Sequence, residues 1–299
     1  MKILLTGKNG QVGWELQRAL ASLGEVIACD RSELDLANPD KIVALVREAK
    51  PQIIVNAAAY TAVDKAESEP EPAHAINARA PGILAEEAKK LGALLVHYST
   101  DYVFDGTKTE PYTEEDAPNP ISVYGRSKLA GEQAIQSSGC RHLIFRTSWV
   151  YGPRGKNFLL TILRLAKERD ELRIVSDQIG APTTSALIAD VTAQILRAFS
   201  PEKQGLYNLT ATGSVSWYGF AQAIVHTAGL TAKVTPIPTS EYPTPARRPS
   251  SSLLNTALLR QRFGIALPSW EDGLKTYFNA LLELQIAQSA RDTPGKPLD

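Results

Sequence analysis

The chain has 299 residues, 43% of them hydrophobic, enough to bury a substantial core in one large domain or two smaller ones. Lys and Arg together number 32, as do Asp and Glu, so no basic excess marks nucleic acid or an anionic membrane as partner; a small-molecule ligand is expected. Cys29 and Cys140 belong to no CxxC or Cys/His cluster and read as free thiols. The opening "MKILLTG" carries no charged leader with a cleavable apolar region, and no apolar run reaches membrane-spanning length, so a cytoplasmic protein is expected.

The first predicted strand, "KILLTG", leads into "TGKNGQVG", with Gly7, Gly10 and Gly13 ahead of the helical stretch "GWELQRALASLG". Glycine permits a tight turn and lets backbone N–H groups approach a pyrophosphate at the helix N-terminus, where the helix dipole favours negative charge. The GxxGxxG spacing modifies the usual dinucleotide-binding GxGxxG fingerprint. The second strand, "EVIACD", ends at Asp30, placed to accept hydrogen bonds from an adenosine ribose, while the neighbouring Arg31 attracts a 2′-phosphate. Use of both NADH and NADPH follows. The third strand, "QIIVNAAAY", ends from Asn56 to Tyr60 in small side chains that leave room for an extended ligand.

After the helical "PGILAEEAKKLG", the fourth strand "ALLVHYSTDYVF" carries "YSTD" at its end. Alternation turns Ser99 and Thr100 to opposite faces, so one hydroxyl reaches a site there, and spacing alone does not decide which. In "VYGRSKLAGE", Tyr124 and Lys128 stand at i,i+4 on one helix face. A nearby ammonium favours a phenolate and makes proton exchange with an alcohol or carbonyl oxygen practical; alternatively, the two are a surface pair. The fifth strand, "HLIFRTSWVYG", places Trp149 where open α/β sheets bind ligands, although a tryptophan there also suits a core. Continuous apolar runs alternating with helices predict a doubly wound parallel α/β sheet, a modified Rossmann fold.

Residues 1–150 are expected to form this dinucleotide-binding domain, with later segments such as "NFLLTILRLAKERD" returning to it. Residues 151–285 form mainly a smaller mixed α/β sugar-nucleotide lobe, punctuated by "PIPTSEYPTPARRPSSS", and the polar 286–299 are expected to fray. Arg247 and Arg248 either clamp a diphosphate or are solvated.

In order, "TGKNGQVG", "NAAAY", "STDYVF" and "YGRSKLAGE" resemble the extended short-chain dehydrogenase/reductase superfamily. With "AYTAVDKAESEP", "FRTSWVYG", "DQIGAPT" and "PTPARRPSSSLLNT", the chain is similar to the dTDP-4-dehydrorhamnose reductase family over nearly all its length before the tail. The resemblance implies NAD(P)H-dependent reduction of the C4 ketone of dTDP-4-dehydro-L-rhamnose, with Thr100, Tyr124 and Lys128 as catalytic triad. It also implies cofactor contacts at Gln11, Val12, Asp30, Asp35, Leu36, Ala59, Tyr60 and Thr61, and substrate contacts at Asp101 and Trp149. Magnesium is an option that some members take through acidic residues at a dimer contact. Glu15 lies just inside the first helix, but no ligand is assigned because no local donor cluster accompanies it. A homodimer is an assembly the family allows. Rival readings are a nucleotide-sugar epimerase or epimerase-reductase with the same triad, and a non-catalytic cofactor-binding regulatory protein, against which the intact triad argues.

Overall fold

In the computed structural model, which describes residues 1–292, the first apolar run becomes β1 (Lys2–Thr6), with Ile3, Leu4 and Leu5 wholly buried. Burial on both faces requires a helical layer on each side. The glycine turn leads into α1 (Gln11–Leu20), β2 (Glu25–Cys29), α2 (Pro39–Ala49) and β3 (Ile53–Asn56). Asn38 starts α2 by accepting from the Lys41 N–H, with Pro39 preset for the first helical position. The short helices α3 (Val63–Ala66) and α4 (Pro70–His74) and a π-helical turn precede α5 (Ala80–Leu91) and β4 (Leu94–Thr100). Then come α6 (Val123–Ser138) and β5 (Arg141–Thr147). The Ser122 hydroxyl accepts from the Gly125 N–H at 3.1 Å, which fixes the start of the helix that carries Tyr124 and Lys128.

Beyond β5 the elements shorten: β6 (Val150–Tyr151), α7 (Phe158–Glu168), β7 (Glu171–Val175), β8 (Ile179–Gly180) and β9 (Thr183–Thr184). They are followed by α8 (Ser185–Arg197), β10 (Gly205–Asn208), β11 (Val215–Ser216), α9 (Trp217–Thr227), β12 (Lys233–Ile237), α10 (Ala257–Phe263) and α11 (Trp270–Asp292). The main sheet has six parallel strands in the order β2-β1-β3-β4-β5-β10. Strand order reverses between β1 and β3, the switch point at which such sheets bind ligands.

Alternation along the strands divides the core in two. Ile3, Leu5, Val55, Val96 and Phe145 meet α1 and α8 on one face, whereas Leu4, Ile54, Leu95 and Ile144 meet α2 and α5 on the other. A third core joins Leu159, Ile162, Leu172, Phe220, Ile224 and Trp270 in the C-terminal lobe. The expectation that the "NFLLTILRLAKERD" helix returns to the sheet is corrected: α7 turns Leu159 and Ile162 toward α9. It is α8, with Ile188 and Ala189 against α1, and β10 beside β5 that return. Residues 151–285 are thus divided between two cores. Of the tail 286–299, residues 286–292 lie in α11, and 293–299 lie outside the described residues. Among the described residues no helix is long and apolar enough to cross a membrane. Cys29 and Cys140 are buried free thiols.

Candidate active site

The glycine turn is shaped by backbone crowding. Gly7 has φ 75°, and a Cβ there would lie 2.8 Å from the Ala58 nitrogen at the end of β3. Helix α1 begins at Gly10 without a side-chain cap, which leaves N–H groups at its positive end. Gly7, Gly10, Gln11 and Val12 line a cavity of about 800 Å³ at the C-terminal edge of the sheet. Gly13, expected as a cofactor contact, does not line the cavity, and its Cβ would fall 2.0 Å from the Gly7 carbonyl oxygen. It is the glycine that lets α1 pack onto the turn.

The far wall of the cavity is formed by Asp30, Arg31, Asp35 and Leu36, and its floor by Ala59, Tyr60 and Thr61. Asp30 is already engaged. Its Oδ1 accepts from the Ser32 N–H (2.9 Å) and hydroxyl (2.6 Å), and its Oδ2 from Asn9 Nδ2 (2.8 Å). The two Ser32 bonds hold its carboxyl below the usual range. The Arg31 side chain is 82% exposed, with Nε in an ion pair 3.8 Å from Asp35 Oδ1, so most of its guanidinium faces solvent. Asn77 clamps Tyr60 by accepting from its N–H (2.8 Å) and donating to its carbonyl (2.9 Å).

At the end of β4 the two hydroxyls part as alternation requires. Ser99 Oγ donates to Glu132, which holds Arg146 in a two-point ion pair of 3.0 and 2.7 Å, all three residues being buried. Thr100 Oγ1 instead donates to Asp101 Oδ1 at 2.9 Å and stands near the Tyr124 phenol. Burial pushes that phenol up to about 12, and the neighbouring Thr100 hydroxyl acts the other way. Burial likewise pushes the Asp101 carboxyl up to about 7. Tyr124 and Lys128 both line the cavity, yet the direct tuning expected between them is not the arrangement found. Lys128 is 2% exposed, donates from Nζ to the Tyr98 carbonyl at 2.5 Å and lies 3.3 Å from His97 Nε2. Desolvation pushes its ammonium down to about 8, with the Glu132 charge opposing.

Trp149 follows β5 with φ 47°, a left-handed conformation that costs a non-glycine residue energy, and stacks on Trp217 of α9 at 3.4 Å. Gly180 makes room, since a Cβ there would lie 2.3 Å from the Trp149 ring. The stack therefore joins the main sheet to the C-terminal lobe. A second cavity of about 400 Å³ opens in that lobe beside Trp217, with Arg169, Arg173, Tyr242 and Arg248 in its wall. The two arginines left open in the sequence separate. Arg248 donates to Asp64 Oδ2 (2.8 Å) and Thr244 Oγ1 (2.5 Å), whereas Arg247 is exposed and outside this wall.

Sequence reasoning missed the loop after β6. Gly155 and Lys156 line the nucleotide cavity, and Asn157 donates to Gln11 Oε1 and the Gly152 carbonyl, both at 2.9 Å. A lone Lys in a Gly/Pro loop gave no signal that it faces the first glycine turn. Glu15 lies 4.0 Å from Arg18, and among the described residues no group of three or more His, Cys, Asp or Glu gathers to hold a metal ion.

The family model described as the RmlD substrate binding domain matches residues 1–283. A dTDP-4-dehydrorhamnose reductase of Burkholderia thailandensis is 53% identical over 284 residues, covering 90% of this chain and 95% of the relative. Among solved structures, a dTDP-4-dehydrorhamnose reductase from Clostridium acetobutylicum superposes with a TM-score of 0.90 at 42% identity, covering 94% of this chain and 100% of that one. A dTDP-4-dehydrorhamnose reductase from Bacillus anthracis in complex with NADP does so with a TM-score of 0.89 at 39% identity, covering 93% and 99%.

Proposed function

The chain belongs to the dTDP-4-dehydrorhamnose reductase family, and on that premise we propose that it reduces the C4 ketone of dTDP-4-dehydro-L-rhamnose to dTDP-L-rhamnose, the last step of dTDP-rhamnose synthesis, with NADPH or NADH. The observation that carries this reading is the meeting, at one sheet edge, of a glycine-cradled cavity with the half-buried Tyr124 and the buried Lys128 in its wall and the buried Thr100 near the phenol. The cavity suits a dinucleotide. Backbone at Gly7 leaves no space for a Cβ, and the uncapped start of α1 offers N–H groups to a pyrophosphate.

When bound, reduced nicotinamide supplies the hydride that the carbonyl carbon accepts. Tyr124 transfers its phenolic proton to the alkoxide oxygen, and the Thr100 hydroxyl, turned from Asp101 to the substrate, donates a hydrogen bond that orients the same oxygen. Lys128 donates to the ribose hydroxyls. Ser99 is committed to Glu132, which supports Thr100 as the acting hydroxyl. Asp101 and Trp149 contact the deoxysugar, and the thymidine diphosphate extends toward the cavity beside Trp217, where Arg169 and Arg173 suit its phosphates.

The reading includes a cytoplasmic location and a homodimer, the latter open to light scattering on the purified protein. With the keto-sugar in excess, each mole of product should consume one mole of NAD(P)H; catalysis in which the cofactor is recycled would identify an epimerase instead.

A further inference from the structure

Parallel register sets Thr6 of β1 beside Asn56 of β3, and Asn56 beside His97 of β4. The three side chains form a buried file beneath the cavity, each at most 2% exposed. The Ala58 N–H donates to Thr6 Oγ1 at 3.3 Å, and Thr6 Oγ1 donates to Asn56 Oδ1 at 2.7 Å. Asn56 Nδ2 lies 3.1 Å from His97 Nδ1, and His97 Nε2 lies 3.3 Å from Lys128 Nζ. The register thus lines up a polar path from the wall of the glycine turn to the lysine.

The file has a direction. Thr6 has one hydroxyl proton, spent on Asn56, so the amide nitrogen faces His97 and donates to Nδ1. An imidazole that accepts at Nδ1 carries its ring proton on Nε2, the atom facing Lys128. Turning the Asn56 amide over would leave the buried Thr6 proton without an acceptor, a costly arrangement. Ala58 closes the other end, at the nitrogen that a Cβ on Gly7 would approach to 2.8 Å.

We propose that His97 is a positioning residue for Lys128: held by Asn56 and Thr6 as its Nε2–H tautomer, it fixes the lysine nitrogen under the cavity and ties it to the backbone that walls the glycine turn. Nε2–H donates only to an unprotonated amine, so the file disfavours the ammonium in the same sense as burial does. The other groups facing Lys128 are the Tyr98 carbonyl from β4 and, on its own helix, Glu132, which is paired with Arg146 of β5. The inference rests on Lys128 acting at the reducing site.

The test is steady-state kinetics on His97→Leu, His97→Gln, Lys128→Met and the His97→Leu/Lys128→Met double variant. His97→Leu should lower kcat about 100-fold, the loss that a displacement of about 1 Å can bring, with the sugar-nucleotide KM little changed. His97→Gln, which keeps an amide nitrogen to face Lys128, should recover most of that loss, and in the Lys128→Met background the His97→Leu loss should disappear. Additive losses, or wild-type kcat in His97→Leu, would overturn the proposal. Wild-type turnover in Lys128→Met would overturn the underlying reading instead. Should His97→Leu fail to fold, nitrogen-15 NMR of the wild-type ring decides: a proton on Nε2 with bare Nδ1 at neutral pH supports the proposal, and the opposite tautomer overturns it.

Discussion

Replacing Tyr124 with phenylalanine removes one oxygen and leaves the ring. That ring packs edge-on against Tyr102, with centroids 5.9 Å apart and planes at 80°, a contact phenylalanine retains. The lost interaction is at most a weak one between the phenol and the Thr100 hydroxyl, and since a full net hydrogen bond is worth about 1 kcal/mol, Tyr124→Phe should change folding stability by no more than about that amount. The chemical loss is larger. Burial pushes the phenol up to about 12, so it keeps its proton through neutral pH until the alkoxide forms. Losing a positioned acid costs roughly 100- to 10,000-fold in rate, or about 2.7 to 5.5 kcal/mol of barrier. The assay is kcat at saturating cofactor and sugar nucleotide, with thermal melting and cofactor titration alongside. Turnover should collapse while melting and cofactor affinity stay near wild type. Near-normal turnover would move the proton donor elsewhere, and a large fall in melting temperature would show that the oxygen is structural.

Arg31→Ala should weaken use of NADPH and leave NADH nearly untouched, because Asp30 is engaged by Ser32 and Asn9 while Arg31 stands exposed beside it. The parent should use both cofactors with less than roughly a hundredfold difference, under about 3 kcal/mol; equal losses with both in the variant would make Arg31 structural. Gly13→Ala would place a Cβ 2.0 Å from the Gly7 oxygen. It should cost about 1–3 kcal/mol in a urea titration, as overpacking does, and weaken cofactor binding; a variant matching the parent in both would contradict the packing argument. Asp101 holds its proton to about 7 when folded, against 3.8 for the ordinary carboxyl. Between those values the folded state binds more protons than the unfolded one, so the stability this group contributes falls as pH rises through the window. His97, lowered by burial, slopes the other way but is common to both proteins. Relative to Asp101→Asn, the wild type should therefore lose stability from about pH 4 to 7, and a constant difference between their urea midpoints would refute the assignment.

The main sheet was legible because parallel strands buried on both faces appear as unbroken apolar runs, and β1 to β5 each carry one. The sixth strand was not. Gly205–Asn208 is only "GLYN", and nothing within four residues distinguishes it from a turn; its place beside β5 is set by long-range pairing. The C-terminal lobe was legible only in outline, since β6, β8, β9 and β11 span two residues each, too few to show a period.

At the site, glycine spacing announced the turn but did not distinguish Gly7, which walls the cavity, from Gly13, which packs a helix. Helical spacing brought Tyr124 and Lys128 to one face, yet what Lys128 touches depends on β4, in particular the Tyr98 carbonyl and His97. What Ser99 touches likewise depends on partners distant in sequence, Glu132 and through it Arg146. In "ALLVHYST" a histidine among apolar neighbours reads as core, and only strand register reveals that it continues a polar file from Thr6 and Asn56.

The central claim, hydride delivery to the sugar C4 beside Tyr124, is tested most directly by incubating the protein with dTDP-4-dehydro-L-rhamnose and NADPH deuterated at the transferring position of the nicotinamide. The expected product is dTDP-L-rhamnose bearing one deuterium at sugar C4 for each cofactor oxidised, with Tyr124→Phe slowing that transfer. Product without deuterium at C4, or conversion of the sugar without net oxidation of the cofactor, would contradict it.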